Sequence, residues 1–449
     1  MLAHNANLEQ NQYRLALVRC GSQAIWVDRV NGALRLPRVT ISRWTRAAEQ
    51  LQRVVEADWD LRAVVLDYLP NKVNSTPCAV VEIMSSGAQN SLIAASIDEI
   101  SEEEMTGEER EAIKAILAGD ESTRGPFSRV GWIQEAMEWM RAEVGNDVEF
   151  TGEVRQLNAS GSFALARFRT QSGPAYWLKA TGEPNAHEFH VTRMLAELCP
   201  EYLPCRISAR EDWNAWVMAD AGLVLDTWTL PALERAVVSM AMVQKKTIGQ
   251  IADFLAAGAS DQRICVLRAC LAELVEYLDE AMVKQSSTRV PHIERRRLLQ
   301  LAGIADDACS SMEALEIPDT LVHGDMSSGN ILFEGNSCVF TDWCEAGVGN
   351  PFLTFQSLCL LGRSGEQGWT PRLRETYMRC WSDRLTSRQI DRAFVLMPLL
   401  AILSHLYGRG TWLHSARRND IHVESYARSL ARHMDRAAQE PQLLEVLCQ

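Results

Sequence analysis

Short runs of apolar and β-branched residues in the first hundred positions predict strands. LALVRC, QAIWVD, LRAVVLDYL and CAVVEIM have the composition of buried strands. Between them, SRWTRAAEQLQRVVEADW places Leu51 and Val55 on one face at helical spacing, with Ser42 as the predicted N-cap. The acidic stretch 97–117 predicts a solvated helix. We therefore expect a small α/β N-terminal domain over residues 1–126.

The pattern changes after the segment AGDESTRGPFS, residues 118–128. This segment is rich in Gly, Asp and Ser and predicts a linker. A helical stretch, VGWIQEAMEWMRAEV, follows it, and a strand-rich region begins at Val148. We expect a small β lobe over residues 127–220, and we expect residues 127–449 to fold without the first domain.

From Leu230 onward the apolar positions recur at helical spacing, with one interruption around residues 320–343. This predicts a large helical lobe over residues 221–449. Strands followed by helices place the chain in the α+β class.

Composition narrows the classes of function. The net charge of -13, from 45 basic and 58 acidic residues, argues against non-specific nucleic-acid binding, which needs a basic surface. The twelve cysteines form no CxxC pair, and we expect buried thiols in a reducing compartment. No signal-type segment and no apolar run of about 20 residues is present. We expect a cytoplasmic protein with no membrane and no nucleic-acid partner.

The most specific pattern is LVHGDMSSGNILF followed by SCVFTDWCEAGVGNP. Asp325 and Asn330 lie in a loop between apolar runs, and Asp342 ends the next run. Phosphoryl transfer needs a carboxylate that orients the attacking hydroxyl, together with oxygen ligands that hold Mg²⁺ against the phosphates. A turn made of residues that merely suit turn geometry is the alternative. The order and spacing favour the catalytic interpretation.

This pattern resembles the aminoglycoside phosphotransferase and choline kinase group, whose motifs are HGDxxxxN and D[WF]xxxxxGxP. The resemblance covers about residues 127–449 and implies a bilobal protein-kinase-like fold. It implies that Asp325 is the catalytic aspartate and that Asn330 and Asp342 hold Mg²⁺. It also implies that His323 braces the loop, although a plain hydrogen-bonded core histidine is an equal alternative.

One position departs from the group. Thr354 stands where PxxD has an aspartate that supports the loops, so the departure bears on loop rigidity more than on chemistry. An acidic protein suits a cationic acceptor, although net charge is poor evidence for a site. Five residues are candidates for the acceptor pocket, and each is alternatively structural or exposed: Glu345, His405, Tyr407, Trp412 and His414.

The small lobe is expected to bind the nucleotide. Ser160, Gly161 and Ser162 form a turn of small residues that lets backbone N–H groups approach phosphates, and a plain hairpin turn is the alternative. Met218 and Asp220 lie where the resemblance implies a hinge that presents backbone groups to the nucleobase.

Lys179 stands in the apolar strand AYWLKA, where a lysine is costly unless it is paired. The resemblance implies that it contacts the α- and β-phosphates and pairs with a helix glutamate. Glu188 is the candidate, because apolar residues follow it at helical spacing. The alternative is a capping box with Asn185.

The N-terminal segment loosely resembles the Nudix fold in its order of strands and helix. The Nudix box is absent, because the helix offers only Glu49 and Glu56 where that chemistry needs a closely spaced set of carboxylates. A structural or regulatory domain is the better interpretation of residues 1–126.

Together these features predict a phosphotransferase with an alcohol group as acceptor. It would move the γ-phosphoryl group of ATP or GTP, with Mg²⁺, to a small molecule. A catalytically silent nucleotide-binding scaffold on the same fold is the alternative. A protein kinase is disfavoured, because no DFG or APE pattern accompanies Asp342.

Overall fold

The structure is a computed structural model that describes residues 10–43, 46–69, 76–84, 92–120, 124–145, 148–361, 368–408 and 416–448. The chain divides into two compact units. The first comprises Met1–Phe189 and Cys205–Asp220, and the second comprises His190–Pro204 and Ala221–Gln449.

The first unit opens with a seven-stranded mixed sheet. Its strands are β1 (Gln10–Val18), β2 (Ala24–Val30), β3 (Ala33–Arg35), β4 (Arg38–Ser42), β5 (Ala63–Leu69), β6 (Cys78–Ile83) and β7 (Ile93–Ser96). The main path runs β3-β2-β1-β6-β5, with β4 also paired to β1 and β7 to β2. β1 and β6 are parallel, and the other pairs are antiparallel.

Successive residues of β1 face two different cores, which explains why LALV is continuously apolar. Ala16 and Val18 pack into one core, and Leu15 and Leu17 into the other. The helices of this part are α1 (Ala47–Trp59) and α2 (Gly107–Ala118). α1 covers the Leu15 side of the sheet, and α2 covers the Ala16 side.

A second, five-stranded antiparallel sheet follows in the same unit, in the order β11-β12-β10-β9-β8. Its strands are β8 (Phe150–Ser160), β9 (Phe163–Thr170), β10 (Tyr176–Ala180), β11 (Arg206–Arg210) and β12 (Ala215–Ala219). α3 (Trp132–Val144) precedes this sheet, and α4 (Glu188–Leu198) follows β10 along the chain.

The two sheets of the first unit share one hydrophobic core. Ile25 of the first sheet, Trp132 of α3 and Ala166 of the second sheet belong to the same buried cluster. The Gln156 side chain of β8 exchanges two 2.8 Å hydrogen bonds with the backbone of Val65 in β5. A domain boundary at residue 126 stays a prediction, while the described residues on its two sides pack together.

The second unit is built mainly from helices around two small sheets. The strands are β13 (Ser260–Gln262), β14 (Thr320–His323) and β17 (Ala346–Gly349), in the order β13-β17-β14, and the hairpin β15 (Ile331–Glu334) and β16 (Ser337–Phe340). The helices are α5 (Leu230–Thr247), α6 (Ile251–Ala256), α7 (Ile264–Ala269), α8 (Leu271–Val283), α9 (Arg295–Glu313), α10 (Phe352–Leu361), α11 (Trp369–Trp381), α12 (Ser387–Tyr407), α13 (Ile421–Ala437) and α14 (Pro441–Leu447).

Among the described helices, α12 has the length and apolar composition that a membrane span would need. Of its most apolar window, 56% is buried inside the protein, as in a core helix. Ile390, Phe394 and Leu400 of this helix belong to the core of the second unit.

The α+β class is confirmed, as is the order of a small antiparallel sheet followed by a helical region. The predicted N-cap Ser42 is wrong, because α1 begins at Ala47 after Arg46, and Ser42 ends β4. The Ser42 N–H instead donates to Gln50 Oε1 at 3.0 Å. The expectation of buried thiols holds in part, since four of the twelve cysteines are exposed: Cys20, Cys205, Cys265 and Cys448.

Candidate active site

The loop that carries Asp325 and Asn330 begins where β14 ends. Gly324 stands at a close approach, because a Cβ atom there would lie 2.3 Å from the carbonyl oxygen of Glu345. Asp325 is exposed and Asn330 is buried. The Asn330 Nδ2 group donates to the Asp325 backbone oxygen at 2.8 Å and to Asp325 Oδ2 at 3.2 Å. Asn330 therefore fixes both the backbone and the carboxylate of Asp325.

His323 connects this loop to two other segments. Its side chain is buried, its Nε2–H donates to the carbonyl of Thr341 at 2.9 Å, and its ring lies 4.5 Å from that of Trp343. Its backbone N–H donates to Thr354 Oγ1 at 3.0 Å. These contacts are what a bracing residue makes. At the position where an aspartate was expected, the threonine hydroxyl supplies the acceptor.

Asp342 adopts the left-handed backbone conformation, with φ 63° and ψ 65°. A residue other than glycine holds this conformation at some energetic cost, and such strain concentrates at functional sites. The N–H of the preceding Thr341 donates to the carbonyl of Asn330 at 3.0 Å, which joins the Asn330 and Asp342 segments. A backbone hydrogen bond thus holds the segment that carries Asp342 next to the segment that carries Asn330.

The donor chemistry of these two residues fits Mg²⁺. The Asn330 amide nitrogen is engaged with Asp325, which leaves the amide oxygen as the acceptor atom. Mg²⁺ usually takes one or two protein carboxylates or related oxygens, with water and phosphate completing its shell. In the described part of the chain, no three His, Cys, Asp or Glu side chains gather to bind a metal. A metal bound by Asn330 and Asp342 would take most of its ligands from water and from the nucleotide phosphates.

Lys179 and Glu188 form an ion pair in the first unit. Lys179 Nζ lies 2.5 Å from Glu188 Oε1, and both side chains are buried, with 7% and 1% of their surface exposed. Glu188 is the first residue of α4, whereas a capping box places its glutamate at the third helical position. The geometry favours the ion-pair hypothesis over the cap.

The turn of Ser160, Gly161 and Ser162 is packed against other backbone. A Cβ atom at Gly161 would lie 1.8 Å from the Arg124 carbonyl oxygen, and the N–H of Phe127 donates to the Gly161 carbonyl at 3.0 Å. The glycine is therefore explained by close packing of two chain segments. This favours the hairpin-turn alternative for Gly161, and the exposed Ser162 is the member of the turn that stays open to solvent.

The predicted hinge residues are largely engaged within the first unit. Met218 pairs with Trp177 in β10, and the N–H of Asp220 donates to the Ala175 carbonyl at 3.1 Å. The Asp220 carboxylate accepts from Arg167 at 2.6 Å and from Trp177 Nε1 at 3.1 Å. The Asp220 N–H is therefore not free to donate a hydrogen bond to a nucleobase. The Asp220 carboxylate has a structural role, because it binds Arg167 and Trp177.

His405 is the acceptor-pocket candidate with an electrostatic link to Asp325. Its side chain is exposed, yet desolvation by the surrounding atoms lowers its pKa below the ordinary value, and the Asp325 carboxylate partly offsets that effect. Glu345 lies in a 3-10 helix after Asp342, and Tyr407 is half-buried at the end of α12. Two further candidates lie outside the described residues: Trp412 and His414.

Several residues that support the candidate site could not be predicted from the sequence. Ser404 Oγ donates to Gln262 Oε1 at 2.7 Å, which ties the end of α12 to β13. Arg124 packs on the turn at Gly161 through its backbone. No local pattern marks these contacts, because their partners lie far apart in the sequence. Gly161 and Gly324 were the available sequence signals of a close approach between backbone segments.

A family model matches part of the second unit. Residues 244–392 match the family model described as phosphotransferase enzyme family. The predicted resemblance to the aminoglycoside phosphotransferase and choline kinase group is confirmed over this segment, which contains Asp325, Asn330 and Asp342. No curated protein matches the sequence.

Three solved structures illustrate the likeness. A choline/ethanolamine kinase family protein from Mesorhizobium loti is 17% identical, with a TM-score of 0.45, over 70% of this chain and 98% of that chain. Macrolide 2'-phosphotransferase MphH from Brachybacterium faecium is 14% identical, with a TM-score of 0.40, over 68% and 98%. Choline kinase LicA from Streptococcus pneumoniae is 12% identical, with a TM-score of 0.41, over 67% and 99%.

Proposed function

We propose that this protein is a small-molecule kinase that transfers the γ-phosphoryl group of ATP or GTP to an acceptor hydroxyl. The observation that carries the proposal is the hydrogen-bonded arrangement of Asp325, Asn330 and Asp342. It lies within the segment that matches the phosphotransferase family model. We also propose a cytoplasmic location, because the twelve cysteines form no CxxC pair and fit a reducing compartment.

Asp325 is proposed to orient the acceptor hydroxyl and accept its proton. Its carboxylate is exposed, as a group that meets a substrate must be, while Asn330 holds one of its oxygens. Fixing the carboxylate in advance reduces the entropy lost when the hydroxyl is aligned with the γ-phosphorus. General-base assistance of this kind is worth about 10²–10⁴-fold in rate.

Asn330 and Asp342 are proposed to hold Mg²⁺ through the amide oxygen and the carboxylate. When bound, the ion neutralises charge on the nucleotide phosphates. His323 and Thr354 keep the two ligands in place, because they connect the ends of the segments on which these ligands lie.

Lys179 is proposed to contact the nucleotide phosphates, with Glu188 as a positioning residue. A lysine buried at 7% side-chain exposure needs a counter-charge, and Glu188 supplies it at 2.5 Å.

A catalytically silent nucleotide-binding protein is the second candidate. The close packing of Gly161 on Arg124 counts against a phosphate contact at this turn in either candidate, because a phosphate cannot approach the backbone on that side. Retention of Asp325, Asn330, Asp342 and Lys179 favours the kinase.

Replacing Asp325 by asparagine separates the two candidates. Asp325→Asn is expected to reduce transfer to hydroxyl acceptors by at least about 10²-fold while the Mg²⁺-dependent affinity for ATP or GTP persists. Nucleotide affinity is measured by calorimetry and transfer by release of nucleoside diphosphate. Glu334→Gln, on the exposed end of β15, serves as the control. Nucleotide binding without transfer to any hydroxylated compound by the unmodified protein would support the silent alternative.

A further inference from the structure

A pocket of about 400 Å³ opens in the second unit, among α10, α11, α12, α13 and α14. Its apolar wall comes from Leu360, Val395, Pro398 and Ile402. This volume lies in the range of small-molecule sites, which combine an apolar lining with a few polar groups.

The helix α10 connects the lining of the pocket to the catalytic loop. Thr354 in the first turn of α10 accepts the hydrogen bond from the His323 backbone, and Gln356 and Ser357 in the same helix line the pocket. His405 of α12 also lines the pocket, and the Asp325 carboxylate raises the pKa of this histidine against the larger effect of desolvation. A molecule in the pocket reaches the proposed catalytic carboxylate if it extends past His405, beyond the described lining residues.

The charged groups of this pocket are mostly basic. Arg374 and Arg436 line it, and Glu440 is the carboxylate among its described lining residues, while the imidazoles of His405 and His433 are further polar groups. This local balance opposes the net charge of -13 of the whole chain.

Arg374 is the most informative of these groups. It is half-buried, and its guanidinium lies over the Phe394 ring, 5.0 Å from the ring centroid. Within the described ranges, neither Arg374 nor Arg436 has an ion-pair partner, whereas the neighbouring Arg372 pairs with Glu375 at 2.9 Å. A partly buried guanidinium without a counter-ion is costly, and its planar fork matches carboxylate or phosphate oxygens.

We propose that this pocket binds the acceptor, and that the acceptor carries a carboxylate or phosphate beside an apolar body and the hydroxyl to be phosphorylated. The inference rests on the proposed kinase function and replaces the cationic acceptor that net charge suggested. Arg374 and Arg436 bind the anionic group, and the apolar wall packs on the body of the molecule.

The transfer step then follows from the position of Asp325. The acceptor's oxygen forms a bond to the γ-phosphorus, and its O–H bond breaks as the proton passes to Asp325. The bond from the γ-phosphorus to the bridging oxygen breaks, and its electron pair leaves with the nucleoside diphosphate. The products are the phosphorylated anion and ADP or GDP.

The first test measures binding directly in the full-length protein. The probe is 8-anilinonaphthalene-1-sulfonate, an amphipathic anion followed by its fluorescence. We expect saturable binding that weakens at least tenfold in the double variant Arg374→Gln/Arg436→Gln. Arg372→Gln, on the exposed side of α11, is the matched control and should leave the affinity unchanged. Absence of saturable binding, or equal affinity in the double variant, overturns the inference.

The second test compares acceptors of opposite charge. Pairs such as 3-phenyllactate and 1-amino-3-phenyl-2-propanol share a benzyl body and a secondary hydroxyl on the same carbon but carry a carboxylate or an ammonium group. Transfer to the hydroxy acids is expected to exceed transfer to the hydroxy amines by at least tenfold in kcat/KM, with a rise in KM in the double variant. Equal or better use of the amines overturns the inference and leaves the kinase function standing. Failure of ATP and GTP to bind would instead overturn the kinase function, and the fluorescence result would remain interpretable.

Discussion

Gly324 and Thr354 keep the Asp325 loop in place, the first by close backbone packing and the second by one hydrogen bond. Gly324 meets the Glu345 carbonyl at a distance that excludes any side chain, and the Thr354 hydroxyl accepts the N–H of His323. A hydroxyl can accept one hydrogen bond as a carboxylate does, without a buried charge. The departure from PxxD therefore keeps the supporting bond while changing its electrostatics.

At the same scale, Lys179 and Glu188 are expected to behave as one unit. Lys179→Ala should reduce kcat/KM strongly, and Glu188→Ala by about 10–100-fold, because the glutamate acts through the lysine. Each single change leaves a buried charge uncompensated, which costs about 3–5 kcal/mol in other proteins. The double variant should therefore be barely worse than Lys179→Ala, as tested by a double-mutant cycle on kcat/KM and on the free energy of unfolding.

The exposed pair Arg169 and Glu153, 3.1 Å apart on the same sheet, is the control for this cycle. Exposed pairs contribute about 0–1 kcal/mol, so its variants should have little effect. Strict additivity of the Lys179 and Glu188 effects would remove Glu188 from the site.

The turn between β8 and β9 depends on a second element, the segment Arg124–Phe127. Arg124 is itself anchored, since its Nε donates to Asp67 Oδ2 at 2.6 Å. The turn is therefore held by a residue of the first sheet through a chain of two contacts. If the turn serves the nucleotide, the first sheet supports the nucleotide site.

Gly161→Ala tests this contact between elements. The added Cβ would lie 1.8 Å from the Arg124 carbonyl, so the two segments must separate. We expect the free energy of unfolding to fall by about 1–3 kcal/mol, the usual range for overpacking. Gly107→Ala, where nothing lies within 4 Å of the new Cβ, is the control and should stay within about 0.5 kcal/mol. Equal denaturation midpoints for both variants would contradict the packing.

For the molecule as a whole, the shared core of the first unit changes the expectation for truncation. Removing residues 1–126 would take away Val65, which pairs with Gln156, and Gln52, which bonds to the backbone of Val154 at 3.1 Å. It would also expose Trp132, which is fully buried. Burial of a large aromatic side chain contributes several kcal/mol, so its exposure is expected to be strongly destabilising.

A chain beginning at residue 127 is therefore expected to be insoluble or to lack cooperative unfolding. This reverses the expectation from sequence that residues 127–449 fold alone. Co-expression of residues 1–126 with residues 127–449 should restore a soluble complex, which size-exclusion chromatography and thermal melting would detect. A soluble, cooperatively melting 127–449 chain would instead support the boundary predicted at residue 126.

The sequence by itself determined the features that depend on neighbouring residues. The spacing of Asp325, Asn330 and Asp342 identified the candidate catalytic loop. The apolar strand around Lys179 predicted that this lysine has a partner of opposite charge. Alternating and helical apolar patterns indicated the α+β class, because each side chain's direction follows from the local backbone period. These inferences needed no knowledge of which segments meet in space.

Only the tertiary structure decided which distant segments pack together. It placed Arg124 against Gly161, Val65 against Gln156, and Thr354 against His323. It also gathered basic side chains from three helices into one pocket of an acidic protein. The physical reason is the short distance over which these interactions act. Close packing and the electric field in a pocket depend on atoms within a few ångströms, whereas composition and net charge are averages over the whole chain.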